Sequence, residues 1–403
     1  MSYSIDFPFT TEVKQHLSQY CNVHNFSSKE NCCEEEKYLV SYNKQLTNFN
    51  DSSDKIGTIG LLRSTIFLNG KLVSFSPPKA IPFEDFSKKY NIGDSDVIVE
   101  DFVEGTMINL YFNFVIKKWE ISTKNNIGGN NHFYEDNPYS FAEMFNQTLS
   151  ACYLNLDELN TNYCYSFVMK HPLNDLITLI GDKPQLYLIE VYYIEHINEN
   201  YTKITIINKN EHIKTIPSMS NVFIPYIFDT AKSFDSFDCL FFTDIGVNIR
   251  NYSNMGFMIK NTKTGERTKI RKPYFEKIQI LKGNQTNSLY NYLSLKKQNK
   301  LNDFLHYFPE KNLQYSNYTK LLYEFTDNLY QYYLLVNIYK SHKLNECDLC
   351  YKNHIYKLHE YYINGIKNLN KIKINKKFVI DYVNNLDTTV LFKSLKKFLN
   401  LQL

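Results

Sequence analysis

Basic residues are concentrated in one short stretch of the sequence. Residues 260–277 hold two acidic side chains and seven basic ones: Lys260, Lys263, Arg267, Lys269, Arg271, Lys272 and Lys277. The whole chain has 45 basic and 42 acidic residues, a formal charge of only +3, so the local excess is more informative than the total. A concentrated basic strip is typical of a surface that contacts phosphate groups. An ordinary solvated face has the same local pattern, and charge alone does not separate the two.

A second cluster combines cysteine with histidine. Cys347, Cys350, His354 and His359 form a CxxC pair followed by two histidines, and thiolates and imidazoles are the usual ligands of zinc. Finger-type sites separate the two pairs by about a dozen residues, whereas three residues separate Cys350 from His354 here. The segment 351–366 also has the pattern of one helix, so ordinary cysteines and helix-packing histidines explain the cluster as well.

Four further segments follow one another in a recognisable order. They are VEDFVEGTMINLYF (99–112), WEISTKNNIGG (119–129), YSFVMKHPLNDLI (165–177) and MGFMIKN…GERTKIRKPYF (255–275). Together they resemble the ordered motifs of phage-type ATP-dependent RNA ligases, which belong to the covalent nucleotidyltransferase superfamily. The stretch RSTIFLNGKLVSFSPPKAIPFEDF, which begins at Arg63, is similar to the Arg-then-Pro-Lys stretch upstream of the first motif in those ligases. The chain also resembles uncharacterised proteins of large DNA viruses.

The resemblance implies a covalent reaction with ATP and Mg as cofactors. A neutral lysine amine, its pKa lowered by burial and by neighbouring cations, attacks the α-phosphorus of the nucleotide. The metal and further lysines offset the charge of the pentavalent phosphate, and carboxylates hold the metal and contact the ribose. In the family, the first motif, KxDG, supplies the lysine.

Three positions of this chemistry are altered in the sequence. Aligning KxDG with the first segment places Gly105 on the glycine and Glu104 on the aspartate, so the nucleophile falls at Phe102. A phenyl ring cannot form a phosphoramidate. The carboxylates expected in the third and fourth segments fall at Ser166 and Met255.

The positions that would bind nucleotide or phosphate are better preserved. They are Glu104, Gly105, Lys124, Phe167, Lys269 and Arg271. Lys269 and Arg271 would face phosphates, and Phe167 would stack on a base, a contact worth roughly 1–3 kcal/mol. Simpler explanations compete, because Phe167 also fits a core position and the two cations also fit the solvent side of an amphipathic strand. Lys79, in the Pro-Pro-Lys stretch, is the rival nucleophile, although no KxxG pattern follows it.

A β-rich body must position these residues. Asn69-Gly70 between two apolar runs predicts a hairpin. Strands are predicted over 163–169, 186–194 and 201–208, and a helix over 138–150. After about residue 286, apolar residues recur at three-and-four spacing, which predicts helices. The expected fold class is α+β, an antiparallel-sheet nucleotidyltransferase body with a C-terminal all-α domain. Its expected domains are 1–55 (an extension packed on the body), 56–285 and 286–403.

The resemblance leaves three hypotheses for function. The first is an RNA ligase-like pseudoenzyme that binds nucleotide or RNA ends and cannot adenylate itself. The second is an active ATP-dependent RNA ligase or transferase that uses a non-standard lysine or seals pre-adenylated ends. The third is a structural or protein-interaction component that keeps only the fold, with the helical domain contacting a protein partner.

The expected location is the cytoplasm. The N-terminal sequence lacks the basic and then apolar regions of a secretory signal, and no run approaches the ~20 apolar residues of a membrane helix. The eight cysteines show no disulfide framework, which in a chain without an export signal predicts reduced thiols.

Overall fold

The computed structural model describes residues 2–6, 9–19, 21–26, 28–30, 33–43, 60–133, 135, 137–178, 180–228, 255–367 and 373–402. The chain divides into two compact units, Met1–His132 with Asn137–Lys277 and Phe133–Asp136 with Ile278–Leu403. The domain limits expected at 55/56 and 285/286 stay predictions.

The first unit is rich in β-strands. In chain order they are β1 (Ser2–Ile5), β2 (Cys21–Asn25), β3 (Ser28–Glu30), β4 (Cys33–Glu35), β5 (Lys37–Tyr42), β6 (Thr65–Leu68), β7 (Lys71–Ser74), β8 (Val97–Asp101), β9 (Thr106–Asn113), β10 (Lys118–Ser122), β11 (Tyr163–Lys170), β12 (Gln185–Asn198), β13 (Tyr201–Ile207), β14 (Ile227–Phe228), β15 (Gly256–Asn261) and β16 (Arg267–Arg271). Short helices connect them: α1 (Thr11–Leu17), α2 (Phe83–Ser87), α3 (Phe141–Cys152) and α4 (Lys209–His212).

These strands form three main antiparallel sheets. One has six strands in the order β1-β13-β12-β11-β9-β10, and the other two have four, β14-β8-β15-β16 and β2-β5-β6-β7. β3 and β4 pair separately. One face of the six-stranded sheet packs against α3, with Phe145 and Phe167 in that core. The opposite face packs against the β2-β5-β6-β7 sheet through residues such as Tyr192 and Ile66.

Local sequence signals explain two of these elements. Asn69 and Gly70 adopt φ of 48° and 80° between β6 and β7, as a two-residue hairpin turn requires, so the predicted hairpin is confirmed. Helix α3 begins with a capping box, in which the Glu143 carboxylate accepts from the Ser140 backbone N–H at 2.7 Å and Ser140 Oγ accepts from the Glu143 N–H at 3.3 Å.

The second unit is helical. Its helices are α5 (Pro273–Lys282, which begins in the first unit), α6 (Ser288–Lys297), α7 (Leu301–Tyr307), α8 (Asn312–Tyr333), α9 (Lys352–Lys367), α10 (Lys376–Asn385) and α11 (Thr388–Gln402). The predicted α+β class, with antiparallel sheets followed by C-terminal helices, is confirmed. None of the helices in the described residues is long and apolar enough to cross a membrane.

Candidate functional site

A cavity of about 210 Å³ lies within the first unit, lined by residues from strands of all three main sheets. Successive side chains of a strand point to opposite faces, so the same strands contribute residues to a core on one face and to the cavity on the other. On β8, Val97 and Val99 are buried in a core on one face, while Glu100 lines the cavity on the other. The same alternation on β15 turns Met258 and Lys260 toward the cavity.

Five cations line this cavity: Arg63, Lys79, Lys260, Arg267 and Lys269. Backbone carbonyls hold the two guanidinium groups. Arg267 donates from Nε to the Pro78 carbonyl at 2.8 Å and from Nη2 to the Pro77 carbonyl at 3.1 Å, and Arg63 Nη1 lies 3.5 Å from the Pro77 carbonyl. Burial and then the charge of Arg267 lower the pKa of Arg63 to about 10. A guanidinium crowded in this way would be stabilised by an anion.

The remaining wall is largely apolar. It consists mainly of Val103, Met107, Val168, Ile189, Pro225 and Met258. A cavity that joins an apolar wall to convergent cations suits a ligand with both a planar apolar part and an anionic part. Its volume is below the ~300–1,000 Å³ of pockets that enclose drug-sized ligands. A nucleoside triphosphate would therefore extend beyond it.

Buried carboxylates fix one cavity lysine. Lys260 forms ion pairs with both Glu100 and Glu190, and Lys209 Nζ donates to Glu100 Oε2 at 2.8 Å. Although burial alone would raise the pKa of Glu100, the two ammonium groups hold it well below its usual range. Burial disfavours the charge on Lys260, but the two carboxylates raise its pKa overall. Lys260 is therefore protonated at neutral pH and cannot act as a nucleophile.

Phe102 lies at the end of β8 and lines the cavity. Its N–H donates to the Gly256 carbonyl at 2.9 Å, and its carbonyl accepts from the Met255 N–H at 3.1 Å. The Lys269 ammonium lies 5.9 Å from the centre of the phenyl ring. The structure thus brings the first and fourth sequence segments together at one side of the cavity.

The structure separates the predicted site residues into two groups. Lys79, Phe102 and Lys269 line the cavity, together with Arg63 from the upstream stretch. Five others do not line it: Glu104, Gly105, Lys124, Phe167 and Arg271. Lys124 is exposed after β10, and Arg271 is half-buried at the end of β16.

The Glu104 carboxylate is bound to backbone groups outside the cavity lining. It accepts hydrogen bonds from the Ile177 N–H at 3.0 Å and the Thr178 N–H at 2.7 Å. It therefore holds the segment that follows β11 and is directed away from a ligand in the cavity.

The structure places Phe167 in the core between the six-stranded sheet and α3. The side chain is fully buried, and its ring is stacked on Tyr165, with centroids 6.1 Å apart, and lies near Phe145. Since odd-numbered residues of β11 face α3, Phe167 has no ring face available to a base.

Ser166, the position on β11 where the motif would have a carboxylate, does not line the cavity. It is buried and donates to Asn109 Oδ1 at 2.8 Å. Val168, two residues further on the same face, does line the cavity. Because valine has no carboxylate either, β11 supplies no acid to the cavity under either alignment.

The histidines of the zinc hypothesis have other partners in the structure. The two ring nitrogens of His354 lie 2.9 Å from the hydroxyl groups of Tyr382 and Ser394, so hydrogen bonds occupy both. His359 stacks instead on Tyr362. Within the part of the chain that the structure describes, no three Cys, His, Asp or Glu side chains are grouped to hold a metal.

The basic residues of 260–277 are close together in the sequence but do not form one surface in the folded chain. Arg267 and Lys260 are buried, and Lys263 pairs with Asp96. Lys269 is exposed and lines the cavity. The cations that do converge come partly from outside the strip, from Arg63 and Lys79.

Sequence reasoning missed the buried group of Glu100, Glu190, Lys209 and Lys260. No local pattern marks these residues, because they come from β8, β12, α4 and β15. A glutamate at an inward position of an apolar strand, as in VIVED, was the one available signal.

Comparison with known proteins gives structural neighbours only. No protein-family model matches the sequence, and no curated protein matches it. Similar solved structures include Naegleria gruberi RNA ligase with PPi, which is 12% identical with a TM-score of 0.35, over 68% of this chain and 85% of that one. A mutant of the same ligase with ATP and Mn is 11% identical with a TM-score of 0.31, over 68% and 86%.

Proposed function

We propose that this chain is an RNA ligase-like protein that binds a nucleotide or the phosphorylated end of an RNA without transferring the nucleotide to itself. One observation carries the proposal. A cavity with five cations and an apolar wall has a phenyl ring, that of Phe102, beside the Lys269 amine.

The binding half of the proposal follows from the two halves of the cavity. Phosphate oxygens would lie among Arg63, Lys79, Arg267 and Lys269, since guanidinium and ammonium groups donate to phosphate in charge-assisted hydrogen bonds. A base would lie against the apolar wall. Glu100 and Asp101 are the acids of the lining, and Glu100 is already engaged by two lysines.

Two observations on the amines support the absence of self-transfer. The motif places Phe102 where the relatives have lysine, and Lys260 is held protonated between two carboxylates. The competing hypothesis, an active ligase that uses ATP and Mg, would have to use Lys79 or Lys269.

A labelling experiment tests the catalytic half. Purified protein is incubated with ATP labelled at the α-phosphate, with Mg or Mn, and resolved on a denaturing gel. We expect no labelled protein band. A band would overturn the proposal, and Lys79→Ala and Lys269→Ala would then show which amine carries the label.

A melting experiment tests the binding half. ATP in excess should stabilise the protein, by roughly 2.7 kcal/mol at a hundred times Kd. The Lys79→Ala/Lys269→Ala double variant should lose this stabilisation. Lys118→Ala, at an exposed lysine on β10 outside the cavity, should keep it. If neither ATP nor RNA stabilises the wild-type protein, the fold alone has been kept and the proposal fails.

A further inference from the structure

A line of aromatic rings leads outward from the cavity. Tyr187 packs against Val103, Val168 and Ile189, which form part of the apolar wall. Phe223 is stacked on Tyr187, with ring centroids 5.2 Å apart and an interplanar angle of 27°. Phe223 is 47% exposed, so the stack begins at the cavity wall and ends at solvent.

Backbone hydrogen bonds fix the segment that carries Phe223. The Phe223 N–H donates to the Leu186 carbonyl, and the Leu188 N–H donates to the Phe223 carbonyl, both at 2.8 Å. Phe223 is thus joined to β12 as a parallel bridge to Tyr187. Its ring is presented by a sheet edge and not by an unsupported loop.

A second exposed ring follows on the same segment. Pro225 lines the cavity, and the next residue, Tyr226, is 64% exposed. The Tyr226 carbonyl accepts from the Asp101 N–H at 2.9 Å, which fixes it to the end of β8 beside Phe102. We call Tyr187, Phe223 and Tyr226 the aromatic rim.

We propose that the aromatic rim is a stacking platform for the bases of a single-stranded RNA whose terminal phosphate lies among the cavity cations. This inference rests on the proposed function and adds to it the class of ligand, an oligonucleotide in place of a free nucleotide. The rim is continuous with the cavity through the packing of Tyr187 on its wall. Exposed rings beside a cationic cavity fit a single strand, because every base has a face that can stack and every nucleotide has a phosphate.

The size of the cavity supports the same ligand. At about 210 Å³ it is too small to enclose an oligonucleotide, so most of a bound strand has to pass over its border. The aromatic rim forms part of that border. In a base-paired duplex the bases are stacked on one another and cannot reach Phe223, so a blunt duplex is the appropriate competitor.

Two affinities measured on the full chain test the inference. One is for AMP, and the other is for a 5′-phosphorylated single-stranded RNA oligonucleotide that carries a fluorescent 2-aminopurine next to the terminal nucleotide. We expect the oligonucleotide to bind more tightly than AMP and more tightly than a blunt duplex, with quenching of the 2-aminopurine on binding. Phe223→Ala should weaken oligonucleotide binding roughly 5- to 150-fold and leave AMP binding unchanged.

Matched variants separate stacking from folding. Phe223→Tyr should bind as the wild-type protein does, because it keeps an aromatic face. Tyr226→Ala should weaken oligonucleotide binding and leave AMP binding unchanged. Phe114→Ala removes a ring that is 54% exposed on the β9–β10 hairpin and does not line the cavity, and it should change neither affinity.

The outcomes distinguish the two proposals. If the wild-type protein binds neither AMP nor oligonucleotide, the proposed function fails. If AMP binds but the oligonucleotide gains nothing, or if Phe223→Ala behaves like Phe114→Ala, the aromatic rim is not an RNA platform and the proposed function stands. A rim that serves a protein partner would give this second result.

Discussion

At Gly105 and Gly256 the structure leaves no room for a side-chain carbon. Their φ angles are 150° and 151°, which side chains with a Cβ rarely adopt. A Cβ at 105 would lie 2.5 Å from the Met169 carbonyl oxygen, and one at 256 would collide with the Ile270 carbonyl. These glycines allow the close backbone approach that sets Phe102 at the cavity. The backbone packing at these two positions thus requires glycine, and this requirement is independent of catalysis.

We therefore expect Gly105→Ala and Gly256→Ala each to lower the free energy of unfolding by about 1–3 kcal/mol. Gly93→Ala is the matched control, because a Cβ there meets nothing within 4 Å. Fluorescence of Trp119, the single tryptophan of the chain, reports the unfolding of the first unit in urea. A Gly105→Ala variant as stable as Gly93→Ala would show that the backbone at 105 can rearrange without cost.

Glu100 gives a prediction for acid pH. Its folded-state pKa lies below its ordinary value of 4.5, since Lys260 and Lys209 outweigh the effect of burial. As pH falls, the unfolded chain binds the proton first, so the stabilisation is present above pH 4.5 and is lost as pH falls below it. Glu100→Gln should be less stable at neutral pH by roughly 3–5 kcal/mol, because it leaves two buried lysines under-compensated. The Glu100→Gln variant should also lack the decrease in the free energy of unfolding that the wild-type protein shows as pH falls below 4.5.

The same Trp119 fluorescence checks this prediction over pH. Glu266→Gln is the control, since Glu266 pairs with Lys89 in a partly exposed ion pair worth less than about 1 kcal/mol. Equal losses in the two variants at neutral pH would mean that the buried group is not a stabilising ion-pair network.

At the scale of elements, local signals predicted what depends on neighbouring residues. The Asn69-Gly70 turn and the helix at Phe141–Cys152 depend on turn geometry and helical periodicity, which short windows contain. The pairing of β1 with β13 depends on residues about two hundred positions apart, and no short window contains it. The two explanations of Phe167, a core position or a ligand contact, stay open in the sequence for a related reason. A strand fixes the alternation of faces but not which face meets the ligand.

The helical unit offers a test of its own at His354. Burial, and then the charge of Lys357, lower the pKa of this histidine from 6.5 to about 4. As pH falls, the unfolded chain is protonated first, so stability is complete above pH 6.5 and is lost as pH falls to about 4. The expected loss is up to about 3 kcal/mol. His354→Gln keeps a side chain able to bond with Tyr382 and Ser394 and should remove this pH dependence.

Urea unfolding, followed by far-UV circular dichroism at several pH values from about 7 down to 4, measures how the free energy of unfolding depends on pH. His306→Gln, at an exposed histidine on α7, is the control and should follow the wild-type protein. If His354→Gln shows the wild-type pH dependence, another group in the unit binds the proton.

At the scale of the whole molecule, the net charge of +3 conceals a local concentration of cations. The basic strip at 260–277 supplies Lys260, Arg267 and Lys269 to the cavity, but folding buries Lys260 and Arg267 and adds Arg63 and Lys79 from the upstream stretch. Sequence order groups residues by position along the chain, whereas a ligand encounters them by position in space. The electrostatic site could therefore be located approximately, and its members could not be assigned.

This convergence predicts how RNA binding should respond to salt. Each phosphate neutralised on a single strand contributes about −0.7 to the slope of log K against log salt, because a condensed counterion is released. Lys269→Ala should make the slope shallower by roughly 0.7 to 1 and weaken all sequences about equally. Lys118→Ala should leave the slope unchanged, because Lys118 lies outside the cavity. Filter binding between about 50 and 200 mM salt measures both slopes. Equal slopes for the two variants would remove Lys269 from the phosphate contacts and leave the cavity without its exposed cation.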